Sequence, residues 1–229
     1  METDALFAEL AWLQLHDSSF PSGRFVHSNG LEAWLAAQPA ADEAQVAEAI
    51  RDYISGNAAT LDAVVLGHAW STEDTGALVE LDHVARAHKI TRSARTSSES
   101  CGRQLATVSR RTLRVAADID YLDRVVSGGT PGNQAVVEGV VQRALGIGRS
   151  RAIAGGIRSS YSGLLSAAVR LGRLGPMQAQ RLLFDDARWI VDLTRSAECA
   201  PLDDMTSFAP MLDIAAMRHE TVAARLFST

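Results

Sequence analysis

Gly128-Gly129-Thr130-Pro131-Gly132, followed by Gln134-Ala135-Val136-Val137-Glu138-Gly139-Val140-Val141-Gln142-Arg143-Ala144-Leu145, is the stretch that decides the fold class. The Gly/Pro cluster breaks the chain. After it, Val136, Val137, Val140, Val141 and Leu145 recur at three- and four-residue spacing, the period of one face of an α-helix. The same period appears at Leu6, Phe7, Leu10 and Leu13, at Leu164, Leu165, Ala168, Val169 and Leu171, and at Leu182, Leu183, Trp189, Ile190 and Leu193. Start signals agree with it. Asp42 precedes an Ala/Glu-rich run, and Thr96-x-x-Glu99 and Asn29-x-x-Glu32 read as capping boxes. Leu174-Gly175-Pro176 is a second break, with Pro176 suited to the first turn of the next helix. Alternating strand patterns are nearly absent, and Ala63–Leu66 is too short to count as one. These signals predict an all-α protein, a single helical domain of about eight to ten helices spanning residues 1–229.

Composition narrows the class. At 229 residues and 24.5 kDa the chain can bury a substantial core. Its 47% apolar and 21% charged residues are those of an ordinary soluble domain. No apolar run approaches the roughly 18–20 residues of a membrane span. Glu2 and Asp4 replace the basic start of a secretory signal, so no membrane role is expected. Cys101 and Cys199 lie far apart and form no CxxC pair, which points to a reducing, cytoplasmic setting with both thiols buried.

The net charge of −5 conceals an asymmetry. Arg86, Lys89, Arg92, Arg95, Arg103, Arg110, Arg111 and Arg114 face a single acid, Glu99, within residues 86–114. Residues 142–184 hold seven arginines and no acid. Lys89 is the one lysine, and arginine's planar fork favours paired contacts with carboxylate or phosphate. Solvated helix faces and a protein or nucleotide partner both fit these stretches. Nucleic acid does not, because the chain is acidic overall and the basic stretches hold almost no aromatics for stacking.

Catalytic patterns are missing. There is no GxxxxGK[ST], GxGxxG, HExxH or GxSxG. His83 and His88 stand five apart, off a common helix face. Asp185-Asp186 and Asp203-Asp204 read as solvated or capping pairs. No catalytic, cofactor-binding or metal residue is assigned.

Attention then moves to the two ends. Leu13–Glu32 reads helix, turn, helix, with Pro21-Ser22-Gly23 as the turn and Ser28 and Asn29 as caps. His27 and Glu32 fall close together across that helix start. Pro210–Thr229 places Arg218-His219-Glu220 one to two helical turns before Arg225-Leu226-Phe227. Apolar side chains beside fixed charges there suit a docking surface better than a catalytic cleft.

These residues resemble the UreF family of urease accessory proteins. LQLHDSSFPSGRFVHSNGLE (residues 13–32) is similar to the family's LLQLxDxxxPxGGFxHSxGLE, and PMLDIAAMRHETVAARLFST (residues 210–229) to its PxLDIxxMRHExxxxRLFxS. Arg95, Ser98 and Gly102 resemble its R-x-x-S-x-x-x-G element, and Ala167–Gly175 its AAxRLxxLGQ element. Arg24 stands where the family usually has a second glycine, which leaves that turn less free to adopt φ > 0. Gln134–Val140 replaces the usual His-Pro-containing helix start, and Pro176 stands where the family tends to have Gln.

The resemblance implies an all-α homodimer without enzymatic activity. It implies that the chain binds UreD (UreH in some organisms), recruits the GTPase UreG and assists nickel insertion into apo-urease, with a possible hold on UreG's GTPase activity. Nickel is handled by the complex, and no cofactor is bound intrinsically. The resemblance puts partner binding on an N-terminal segment (about 1–30) and a C-terminal tail (about 205–229). The residues carried over are Arg218, His219, Glu220, Arg225, Leu226 and Phe227, with Tyr161 and Arg170 on a supporting helix, and His27 and Glu32 beside the N-terminal motif. The alternative is a small helical enzyme using His27–Glu32 or His219–Glu220 as an acid–base pair, or a helical binding module unrelated to urease.

Overall fold

The computed structural model describes residues 2–113, 115, 119–219 and 227, with backbone alone at Glu2, Phe25 and His219. The described chain is helical, with no strand. In order it runs α1 (Glu2–Leu15), a 3₁₀ turn (Arg24–Val26), α2 (Leu31–Ala37), α3 (Glu43–Tyr53), a π-helical stretch (Ile54–Asp62), α4 (Ala63–Ser71), α5 (Thr75–His88) and α6 (Arg92–Arg111). It continues with α7 (Asp120–Ser127), α8 (Gln134–Ala144), α9 (Arg149–Arg170), α10 (Pro176–Asp185), α11 (Ala187–Cys199), a 3₁₀ turn (Leu202–Asp204) and α12 (Pro210–His219). Because α3, the π-helical stretch and α4 form one unbroken rod, the described residues make eleven helices, slightly above the eight to ten expected. Ala63–Leu66 lies inside α4.

The helix that decided the fold class sits at the centre. Eight of the eleven residues of α8 are buried, from Ala135 to Gln142, so the helix is covered on every side. It packs against α4 and α6, and Gly139 is there because any Cβ would strike the carbonyl of Leu66. The long α9 crosses α4, α8, α10 and α11. The turn before α8 is held by Asp82, fully buried on α5. Its carboxylate accepts Thr130 Oγ1 and Gly132 N–H at 2.7 Å and Asn133 N–H at 2.6 Å. Here the Arg95/Ser98/Gly102 element finds its reason. Ser98 Oγ accepts Gln134 N–H at 3.1 Å, Gly102 admits the backbone of Gly132–Gln134, and Arg95 binds the carbonyls of Lys89 and Ile90 at the end of α5.

Some start signals hold and some are corrected. Asp42 and Gln45 form a reciprocal capping box with both bonds at 2.9 Å, and Pro176 opens α10. Thr96 and Glu99 lie inside α6. Its cap is Thr91, whose Oγ1 accepts Ala94 N–H at 3.0 Å, while Glu99 pairs with Arg86 at 2.6 Å. Asn29 and Ser28 do not cap α2 through their side chains; Gly30 does the job in left-handed backbone geometry, φ 87°. Of the two thiols only Cys101 is buried, where desolvation pushes it up to about 11, and Cys199 is exposed at the end of α11.

The apolar stripe of α1 faces outward. Leu6, Phe7, Leu10 and Leu13 are 56–59% exposed, while the opposite side, Ala8, Ala11 and Leu15, meets the core. Trp12 Nε1 donates to the carbonyl of Arg151 at 3.1 Å, and Glu9 pairs with Arg151 at 2.8 Å, so α1 rides on α9.

Candidate functional site: the joined chain ends

The N-terminal motif is built around one histidine and two glycines. His16 Nδ1 lies 2.8 Å from Ser159 Oγ on α9, and its Nε2 lies 3.9 Å from Glu138 on α8. Burial lowers the ring to about 4 against the opposing pull of Glu138, so it is neutral at neutral pH. Gly155 leaves the space this ring fills. Asp17 closes the turn by accepting both the N–H and the hydroxyl of Ser19, and Phe20 drops into the core. The positive φ falls on Gly23 (81°), so Arg24 is spared the conformation that its family glycine would allow. Its guanidinium reaches inward to Ser22 Oγ at 3.2 Å and to Glu138 at 3.5 Å. His27, lowered by burial, lines the same polar cavity of about 100 Å³ together with Arg24, Glu138, Lys89 and Cys101.

The C-terminal motif covers this loop. α12 lies on α2, and Gly30 sits so close to the carbonyl of Leu212 and to Ala216 that a side chain there would collide with α12. Asn29 (φ 49°) and Gly30 (φ 87°) are consecutive left-handed residues, a backbone shape that brings the loop under the helix. Leu212, Ala215 and Ala216 face inward, and Met211, Ile214, Met217 and Arg218 face outward. Phe227 follows them back to the start of the chain. Its N–H donates to Glu32 Oε2 at 3.1 Å, and its ring lies beneath the Arg170 guanidinium, 4.2 Å from the centroid.

The expected partner-binding residues therefore divide. Phe227 is 3% exposed and packs on its own chain, so this residue of the tail is seated in the free chain. Tyr161 is fully buried, its hydroxyl donating to Asp186, its ring edge-on to Trp189, with Arg51 on the same carboxylate at 2.9 Å. It supports the α9–α11 packing. Arg170 is the link from α9 to the tail, Arg218 is exposed, and Glu32 is committed to Phe227. Glu220, Arg225, Leu226 and the His219 side chain lie outside the described residues.

Sequence reasoning missed the outward turn of α1, since periodicity reveals an apolar face and not what covers it. It also missed a groove of about 420 Å³ along α9 and α10, floored by Leu165, Val169, Ala179 and Leu183. Met177 and Phe184, both 82% exposed, lie on α10 alongside it. Among the described residues no three His, Cys, Asp or Glu side chains are placed to hold a metal ion, and no helix is long and apolar enough to cross a membrane.

The profile of the UreF family matches residues 40–186, more than half of the chain. The chain belongs to the UreF family. The UreF match spans the middle of the molecule and omits both end motifs, but similarity to individual relatives extends over them. The chain is 29% identical to the urease accessory protein UreF of Bacillus sp. (strain TB-90) over 221 residues, 95% of this chain and 97% of that one. It is 28% identical to the urease accessory protein UreF of Corynebacterium efficiens over 227 residues, 99% of each. It is also 29% identical to the urease accessory protein UreF 2 of Brucella canis, covering 94% of this chain and 89% of that one.

Proposed function

We propose that this chain is a cytoplasmic urease accessory protein that works as a non-catalytic scaffold. It binds UreD (UreH), recruits UreG, and assists nickel insertion into apo-urease, with UreG's GTPase activity regulated within the assembly. The observation that carries this reading is the joining of the two family motifs. Residues from opposite ends of the sequence, Gly30 and Leu212, lie against one another, and the surface above them shows Met211, Ile214, Met217 and Arg218 to solvent. That mix of apolar and arginine side chains is what a protein interface selects. The stripe on α1, Leu6, Phe7, Leu10 and Leu13, adds a second exposed apolar face. The proposal includes a homodimer, for which the groove along α9 and α10, with Met177 and Phe184 exposed on α10, offers an available face.

Co-expression with UreD and UreG followed by size exclusion, with GTP analogue and nickel present, tests the reading. All three chains are expected to elute together. Removal of Pro210–Thr229 is expected to release UreD while the remaining chain stays helical; normal co-elution of UreD with the truncated chain refutes it.

A further inference from the structure

The guanidinium of Arg24 is short of acceptors. Its side chain is 10% exposed, so water does little for its N–H donors. Nε reaches Ser22 Oγ at 3.2 Å, and Nη2 reaches Glu138 Oε2 at 3.5 Å. Nη1 is buried without a hydrogen-bond partner among the described residues. Charge-assisted bonds between such groups run about 2.7–2.9 Å, so the contact with Glu138 is loose. Glu138 is also shared, because its other oxygen accepts Gln142 Nε2 at 3.2 Å.

Arg24 stands on the wall of the cavity of about 100 Å³ enclosed by the N-terminal turn, α4, α6, α8 and α9. The carboxylates on that wall are already engaged. Asp62 holds Lys89 at 2.6 Å, and Glu138 is divided between Arg24 and Gln142. Hydroxyl donors stand beside them. Ser98 Oγ accepts Gln134 N–H and keeps its own proton to give, and Tyr53 and Ser160 add two more hydroxyls. Burial keeps the Tyr53 hydroxyl and the Cys101 thiol protonated, so neither adds a negative charge.

A buried guanidinium without its acceptors is destabilising and calls for an occupant that supplies them. We propose that the cavity is a binding site for a small planar oxyanion of the carboxylate class, held by the Arg24 guanidinium with the Ser98 and Ser160 hydroxyls alongside. The guanidinium fork matches two coplanar oxygens. A single negative charge suits the site, because Glu138 and Asp62 on the same wall repel a second. The site depends on the residue that stands where the family usually has glycine. Without Arg24 the wall keeps Lys89, and Asp62 already holds that ammonium. The inference is independent of any protein partner.

Titration of the full-length chain with formate, against chloride at equal ionic strength, tests it by NMR. The Arg24 Nε–H signal, identified by its loss in Arg24→Gln, is expected to shift saturably with formate and not with chloride. The exposed Arg158 and Arg181 are expected to stay unchanged. Affinity is read from the backbone amides of Ser98 and Cys101, and Arg24→Gln is expected to weaken it about tenfold or more, the effect of losing a charge-assisted hydrogen bond. That variant leaves Glu138 buried without its cation, so a second variant guards the result. Glu138→Gln keeps the guanidinium and removes the competing carboxylate, and it is expected to bind formate more tightly. No saturable shift at Arg24, an equal response to chloride, or an unchanged affinity in Glu138→Gln overturns the proposal and leaves the cavity to water.

Discussion

Replacing His16 by Gln removes a titrating ring from the contact that fixes the first helix to the core, and the structure gives the size of the effect. The ring is buried between Ser159 and Glu138, with Arg24 and Arg158 near enough to disfavour a second positive charge. Burial, the largest influence, lowers it from 6.5 to about 4. At pH 7.5 the ring is neutral whether the chain is folded or unfolded. Below 6.5 the unfolded ring takes a proton that the folded ring refuses until about 4, so the stability it confers is present above 6.5 and is lost as pH falls through that window. Those two values make the loss about 1 kcal/mol at pH 5.5, approaching about 3 kcal/mol below pH 4. Gln can still hydrogen-bond to Ser159 but does not titrate. Urea unfolding of both proteins at pH 7.5 and pH 5.5 cancels the titration of every other group to first order. The parent is expected to lose about 1 kcal/mol more than His16→Gln between those two pH values. Equal losses in the two proteins, or a His16 ring that titrates near 6.5 by NMR, refute the reasoning.

Gly30→Ala forces a left-handed residue to carry a Cβ, about 1–2 kcal/mol, and drives that Cβ into α12; loss of UreD capture with an unchanged far-UV circular dichroism spectrum is the expected result. A double-mutant cycle of Arg170→Ala and Phe227→Ala is expected to return a coupling of about 0.5–1 kcal/mol for the ring–guanidinium contact, whereas strict additivity in unfolding experiments removes that contact from the account. Thiol titration of the native chain is expected to modify Cys199 within minutes and Cys101 only after denaturation, because the second thiol is buried and its acidity suppressed.

What the sequence made legible was helix existence and type. The valines of α8, the capping box at Asp42 and the proline opening α10 are local signals with local causes, and each appears where expected. What it left open was decided by groups distant along the chain. Glu99 has the spacing of a capping residue, yet Arg86 claims it; Glu32 has the same spacing, yet the backbone of Phe227 claims it. Asp186 looked like half of a solvated pair and instead gathers Tyr161 and Arg51, one from another helix and one from the central rod. Arg24 replaces a glycine, and only the position of Glu138 shows where its guanidinium goes. The UreF motifs were visible at both ends of the sequence, but nothing in either motif says that they touch. That contact is written in Gly30, a residue whose role appears only once α12 lies on it.

The same contact bears on how the molecule is made. About 180 residues separate Gly30 from Leu212, and at roughly 5–20 residues per second a ribosome needs about ten to forty seconds to travel from one to the other. Throughout that interval the left-handed loop waits without its lid. Translation therefore acts as a timer on assembly: a partner that reads both motifs at once has nothing complete to grip on a nascent chain, and meets the scaffold only after α12 has emerged.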